Sequence, residues 1–124
     1  MNYPVGDFLI QIKNASLAGR RAVVVRETKL IKNVASVLKK LGLLAAVSSK
    51  GGLLTAELRY HKKAPMLIGL KLVSKPGMRT YTSVDKLSKR RGAERLVIST
   101  NQGVMTDEEA VKKNIGGEVI AKII

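Results

Sequence analysis

Apolar residues near the start of the chain recur at helical spacing. Val5, Phe8, Leu9 and Ile12 stand at i, i+3, i+4 and i+7, one face of an α-helix. Tyr3-Pro4 opens that helix, because proline at the first helical position forfeits no internal hydrogen bond. Gly19 ends it, and Lys13 and Asn14 lie off the apolar stripe, open to a partner. The period then changes. Ala22 to Arg26 is short and β-branched, which predicts a buried strand. Thr28 is the expected N-cap of a second helix whose apolar stripe is Leu30, Val34, Val37, Leu38 and Leu41. Lys29, Lys32, Lys39 and Lys40 occupy its other faces, and Gly42 closes it. Leu43 to Ser49 and Leu53 to Tyr60 read as two strands around a Lys50-Gly51-Gly52 turn. In the second, Leu54, Ala56, Leu58 and Tyr60 share one face and Thr55, Glu57 and Arg59 the other. Two amphipathic helices against a small sheet bury one core.

The second half is strand-rich. His61 to Met66, basic and containing Pro65, reads as a linker. Leu67 to Ser74 is an apolar strand broken by Lys75-Pro76-Gly77, a type II turn signature. Arg79 to Ser83 continues as a strand, and Val84 to Arg91 is a short helix or an irregular basic segment. Arg95 to Thr100 is a strand and Asn101-Gln102-Gly103 a turn. Thr106 with Glu109 fits a capping box, which predicts a helix over Asp107 to Asn114. Gly116-Gly117 leads into a last strand, Glu118 to Ile124. The pattern therefore predicts an α+β chain in two parts: an N-terminal α/β domain over 1–62, two helices on a small sheet, and a C-terminal mainly-β domain over 63–124 with a short helix.

Composition adds the partner. In 124 residues there are 23 Lys and Arg against 9 Asp and Glu, a formal charge of +14. With 45% hydrophobic residues, this is a folded domain rather than a disordered basic tail. The surplus is spread over both halves: residues 1–62 carry 11 basic and 3 acidic residues, and residues 63–124 carry 12 and 6. Self-repulsion of this size is offset most simply by a polyanion. Nucleic acid and an anionic membrane are the two candidates. The membrane reading lacks its signs: Leu41 to Ser49 is the longest uncharged apolar stretch, no signal peptide is expected, and Phe8 is the sole aromatic on the expected helices.

Catalysis is hard to build from this inventory. With no cysteine there is no thiolate zinc site and no thiol nucleophile. His61 sits among lysines with no orienting partner nearby, and Asp107, Glu108 and Glu109 read as helix-start residues that favour the macrodipole. No cofactor is expected. Nucleic-acid chemistry is easier to assemble. Ser99-Thr100-Asn101-Gln102-Gly103 sets two hydroxyls and two amides beside a glycine, groups that read base edges and riboses while cations neutralise phosphates. With 3 Tyr, 1 Phe and no Trp, folded RNA read by shape and a few bases fits better than stacked single strands.

These segments resemble the bacterial form of the small-subunit ribosomal protein eight family over nearly the full length. The resemblance is carried by the helix around Asp7 to Ala15, by Lys29 to Lys39 with Gly42, and by Ser74-Lys75-Pro76-Gly77 with Arg79 and Tyr81. Its most specific part is Ser99 to Asp107 followed by Gly116-Gly117-Glu118. It implies a non-enzymatic protein that binds the central domain of small-subunit ribosomal RNA and organises it during assembly, beside neighbouring small-subunit proteins. It implies Ser99, Thr100, Asn101 and Gly103 at bases and riboses, with Gly117 and Glu118 nearby. Lys75, Arg79 and Tyr81 follow as further C-terminal contacts, and Lys29, Lys32 and Asn14 as N-terminal ones. In some bacteria family members also bind their own operon messenger RNA, which adds that message to the candidate partners. A cytoplasmic ribosome is the expected location, with an organellar one as the alternative. Two departures stand out: Asn101 occupies a position where the family usually has serine, and Gly92-Ala93-Glu94-Arg95 replaces a more apolar approach. The rival classes are a metal-dependent nuclease and a cationic membrane-surface protein.

Overall fold

The computed structural model describes residues 3–67, 69–90 and 94–123. Readings that fall on Ile68, on Arg91-Gly92-Ala93 or on Ile124 lie outside the described residues. By contacts the chain divides into two compact units, one up to Gly69 and one from Leu70 onward. The stretch after Lys62 thus packs with the first half, and the boundary falls later than the pattern of Pro and basic residues suggests.

In the first unit, α1 (Pro4–Ala18) begins on the proline and ends at Gly19, which takes the left-handed conformation at φ 72°. Strand β1 (Ala22–Arg26) leads to α2 (Lys29–Lys40), capped by the Thr28 side chain, which accepts from the Ile31 N–H at 3.1 Å. Strands β2 (Leu44–Lys50) and β3 (Leu53–Leu58) complete an antiparallel sheet of order β1-β3-β2. Leu54, Ala56 and Leu58 are buried on one face of β3, as alternation requires. The core joins them to Phe8, Leu9 and Ile12 of α1 and to Ile31, Val34, Ala35 and Leu38 of α2. The predicted stripe of α2 holds at Val34, Val37 and Leu38, all buried, and departs at its two ends, where Leu30 is exposed and Leu41 is half-buried. Leu30 is exposed at 39%, whereas Ile31 is buried, because Ile31 and Ala35 carry the buried face with Val34 and Leu38 and leave position 30 at its edge.

The expected linker at 61–66 is a tight hairpin instead. Strands β4 (Tyr60–His61) and β5 (Ala64–Pro65) pair directly, with Lys62 and Lys63 as the two-residue turn at φ 51° and 68°. The usual sequence signal of such a turn is Asn-Gly, and Lys-Lys carries none of it.

In the second unit, among the described residues of the expected 67–74 strand only Leu70–Leu72 is β, as β6. Tyr81–Thr82 forms β7, and α3 (Val84–Lys89) follows, capped by Ser83. A hairpin of β8 (Arg95–Thr100) and β9 (Gly103–Thr106) precedes α4 (Asp107–Lys112), and β10 (Gly117–Ile123) closes the chain. Helix α4 stops short of Asn114, which is left-handed at φ 57°. The sheet runs β6-β10-β8-β9, with β7 also pairing with β10. Strand β10 is central because its two ends pair with different neighbours: Gly117 and Glu118 with β7, Ala121 to Ile123 with β6. A register shift between Val119 and Ala121 marks a bulge in its pairing with β8. Leu96, Ile98, Met105 and Val119 pack with Leu87 of α3 and Ala110 of α4 in one cluster.

Candidate nucleic-acid interface

The β8–β9 hairpin holds its own tip together. The Thr100 hydroxyl donates to the Gly103 carbonyl at 2.8 Å and accepts from the Gln102 N–H at 3.1 Å. Gly103 stands at φ 116°, a conformation that L side chains rarely adopt. Thr100 thus shapes the turn, and its hydroxyl keeps only one accepting lone pair for an outside donor. Asn101, Gln102 and Gly103 are exposed at the tip, so the two amides carry the unspent hydrogen-bonding capacity.

Beside the tip, pairing sets four residues in a row across the sheet. Tyr81 of β7 lies opposite Glu118 of β10, Glu118 opposite Ser99 of β8, and Ser99 opposite Val104 of β9. Directly paired residues project to the same face. Their neighbours Ile98, Met105 and Val119 project to the other, into the core cluster. Tyr81 is 69% exposed, and Ser99, Val104 and Glu118 are half-buried. Arg79 donates to Glu118 at 3.4 Å, so the carboxylate in this row has a cation beside it.

The two glycines before Glu118 make this row possible. A Cβ on Gly117 would fall inside contact distance of the Ser99 carbonyl oxygen and stand 3.1 Å from Ile98 Cγ2. A Cβ on Gly116 would strike the Thr82 carbonyl oxygen. Backbone therefore meets backbone on both sides of the start of β10. On the far side of the strand, the turn carrying Lys75 is clipped down by Ser74, which is fully buried. Its hydroxyl donates to the Val119 carbonyl at 2.7 Å and accepts from the Thr80 N–H at 3.0 Å. Lys75 and Met78 exchange backbone hydrogen bonds of 2.9 and 3.0 Å across the turn, and Gly77 is exposed at its tip.

Three further acids of this unit, Asp107, Glu108 and Glu94, are engaged in ion pairs within the fold. Asp107 accepts from Arg90 at 3.2 Å and from Arg95 at 3.1 Å, while Arg95 also reaches Glu108 at 3.5 Å. Glu94 takes Lys122 at 2.9 Å and Arg90 at 4.0 Å. Glu94 and Arg95 are thus both engaged in ion pairs of the fold. Among the described residues no carboxylate pairs with Lys75, Lys86, Lys89, Lys112 or Lys113.

In the first unit Asn14 lines a groove between α1 and β1 with Gln11, Arg20 and Val24. Gln11 also lines the adjoining groove, which reaches Thr28 and Ile31 of α2. Lys29 and Lys32 stand exposed on the first turn of α2, beside those grooves rather than in them. His61 is exposed on β4. Among the described residues no three His, Asp or Glu side chains gather as metal ligands, and no helix is long and apolar enough to cross a membrane. Two positioning residues escaped the sequence reading. Ser74 carries no pattern that separates a buried clip from a turn serine. Asp107, read as a helix-start acid, is also the anchor of Arg90 and Arg95.

Comparison with known proteins gives one answer. The model of the family described as Ribosomal protein S8 matches residues 3–124. A protein of Caldanaerobacter subterraneus named small ribosomal subunit protein uS8 is 40% identical, over 99% of this chain and 98% of its own. The proteins of that name from Enterococcus faecalis and Malacoplasma penetrans are 39% and 36% identical, over 99% and 97% of this chain and 98% and 96% of theirs. The paired row, the double-glycine approach and the capped hairpin are thus built by a chain that belongs to the ribosomal protein S8 family.

Proposed function

We propose that this chain binds the central domain of small-subunit ribosomal RNA and uses that binding to fix the RNA's conformation during assembly. The family is one of structural proteins of the small ribosomal subunit, not of enzymes. The observation that carries the reading is the exposed Asn101-Gln102-Gly103 tip beside the Tyr81–Glu118–Ser99–Val104 row. Asn101 offers donors and an acceptor to base edges, and the Ser99 hydroxyl suits a ribose 2′-hydroxyl. Tyr81 provides an exposed ring on which a base can stack. Glu118, with its charge balanced by Arg79, accepts from a base amino group without repelling the phosphates strongly. Gly103 and Gly117 contribute backbone shape, and Thr100 holds the tip. Lys75 supplies a phosphate contact on the same unit, and Lys29, Lys32 and Asn14 supply contacts from the first.

Binding of the full chain to a central-domain RNA fragment and to a random duplex separates these roles. Asn101→Ala and Ser99→Ala should weaken the cognate RNA by about 1–3 kcal/mol, roughly 5- to 150-fold, and leave the duplex nearly untouched. Lys75→Ala should weaken both and lower the salt slope by about 0.9. Equal losses on both RNAs for Asn101→Ala and Ser99→Ala would remove the tip from recognition.

A further inference from the structure

We propose a second RNA-phosphate site in the first unit, on the open groove beside the β4–β5 hairpin, with Arg21, Arg59, Lys62 and Lys63 as its cations. It rests on the reading of the chain as an RNA binder, and none of its four cations is among the residues assigned above. Arg21, Arg59 and Lys63 line this groove with Tyr60 and a single acid, Glu57. All three cations are exposed, and among the described residues none of them, nor Lys62, forms an ion pair. Glu57 lies in the same groove and, among the described residues, forms no ion pair with any of them.

The backbone is the second, independent observation. Lys62 and Lys63 both stand in the left-handed region, at φ 51° and 68°, in a two-residue turn that Asn-Gly fills without strain. Strained positions held at a surface tip point to function. Lys63 of this turn lines the groove that already carries two arginines, and Lys62 precedes it in the turn. The phenol of Tyr60 donates to the Arg20 carbonyl and ties the hairpin to the approach of β1. The groove is open rather than enclosed, and no pattern of amides or hydroxyls lines it. That chemistry fits repeated phosphates along an RNA backbone without base readout.

The test is salt titration of the full chain against a generic RNA duplex, which lacks the sequence the β8–β9 tip reads. Arg21→Ala with Arg59→Ala should lower the slope of log affinity against log salt by about 1.8, since each lost phosphate contact removes about 0.9. Lys62→Asn with Lys63→Gly should raise the thermal midpoint, by relieving the turn, while lowering the slope by a similar amount. Stability and binding then move in opposite directions, which a merely structural turn would not produce. An unchanged slope in the arginine double variant overturns the site, as does a relieved turn that binds the duplex as tightly as the original. If the slope is unchanged while the chain still prefers central-domain RNA, this site falls and the proposed function stands. If the unaltered chain binds neither RNA, both fall.

Discussion

Gly117→Ala is the sharpest perturbation of the row proposed to face RNA. The new methyl would sit closer to the Ser99 carbonyl oxygen than the 3.0 Å that real Cβ atoms respect, and 3.1 Å from Ile98 Cγ2. The obstacle is backbone, so no rotamer change relieves it. Restoring an ordinary contact needs roughly 1 Å of separation between β10 and β8. That stretches the hydrogen bonds around the Glu118–Ser99 pair beyond useful length. Overpacking of this kind costs about 1–3 kcal/mol, and a lost ladder bond about 1 kcal/mol more. The expected total, about 2–4 kcal/mol, is a large share of the ~5–15 kcal/mol that holds a domain folded. Urea unfolding followed by circular dichroism measures it. Gly51→Ala is the control, since its Cβ meets nothing within 4 Å and only its φ of 60° resists, at about 1 kcal/mol. Affinity for central-domain RNA should fall in Gly117→Ala even where the chain is fully folded, because Ser99 and Glu118 no longer stand in register. Equal midpoints for Gly117→Ala and Gly51→Ala, with RNA affinity intact, would refute the close-approach reasoning.

Ser74→Ala should cost about 2–4 kcal/mol in urea unfolding, because it strands the Thr80 N–H and the Val119 carbonyl, and Ser74→Thr should not rescue it in a fully buried site. Thr100→Ala should loosen the hairpin tip and weaken cognate RNA, and Thr100→Ser should restore it by returning the hydroxyl that bridges Gln102 and Gly103. Backbone amide exchange at Gln102 reads the same bond directly. Asp107→Ala should destabilise by about 1–3 kcal/mol by removing the carboxylate that Arg90 and Arg95 share, with no change in the RNA salt slope if those arginines serve the fold alone.

The elements most legible in the sequence are those set by periodicity and capping. Both long helices, β3, the Thr106 cap and β1 as a strand follow from spacing and side-chain chemistry alone, because those signals are local, but β1 was expected to be buried and is an edge strand with only Val23 buried. What escaped is non-local or carried by unusual residues. The buried stripe of α2 is decided by what it packs against, and neighbouring Leu30 and Ile31 are equally apolar in the sequence. The β4–β5 hairpin is hidden because lysines occupy a turn that normally announces itself with Asn-Gly. Strand β9 is hidden because the Val104-Met105 run is too short to separate from the turn before it. At the site, Ser99, Asn101 and Gly103 were legible as chemistry. That Thr100 spends its hydroxyl inside the loop, and that Gly117 exists to let β10 meet Ser99, are facts of packing.

Chemical footprinting of the full chain on intact small-subunit ribosomal RNA tests the central claim most directly. The account predicts one focused patch of protected bases and riboses in the central domain, lost at its bases in Asn101→Ala and retained along its phosphates. Protection scattered along the backbone with no central-domain focus, or a focused patch that survives unchanged in Asn101→Ala and Ser99→Ala, would contradict it.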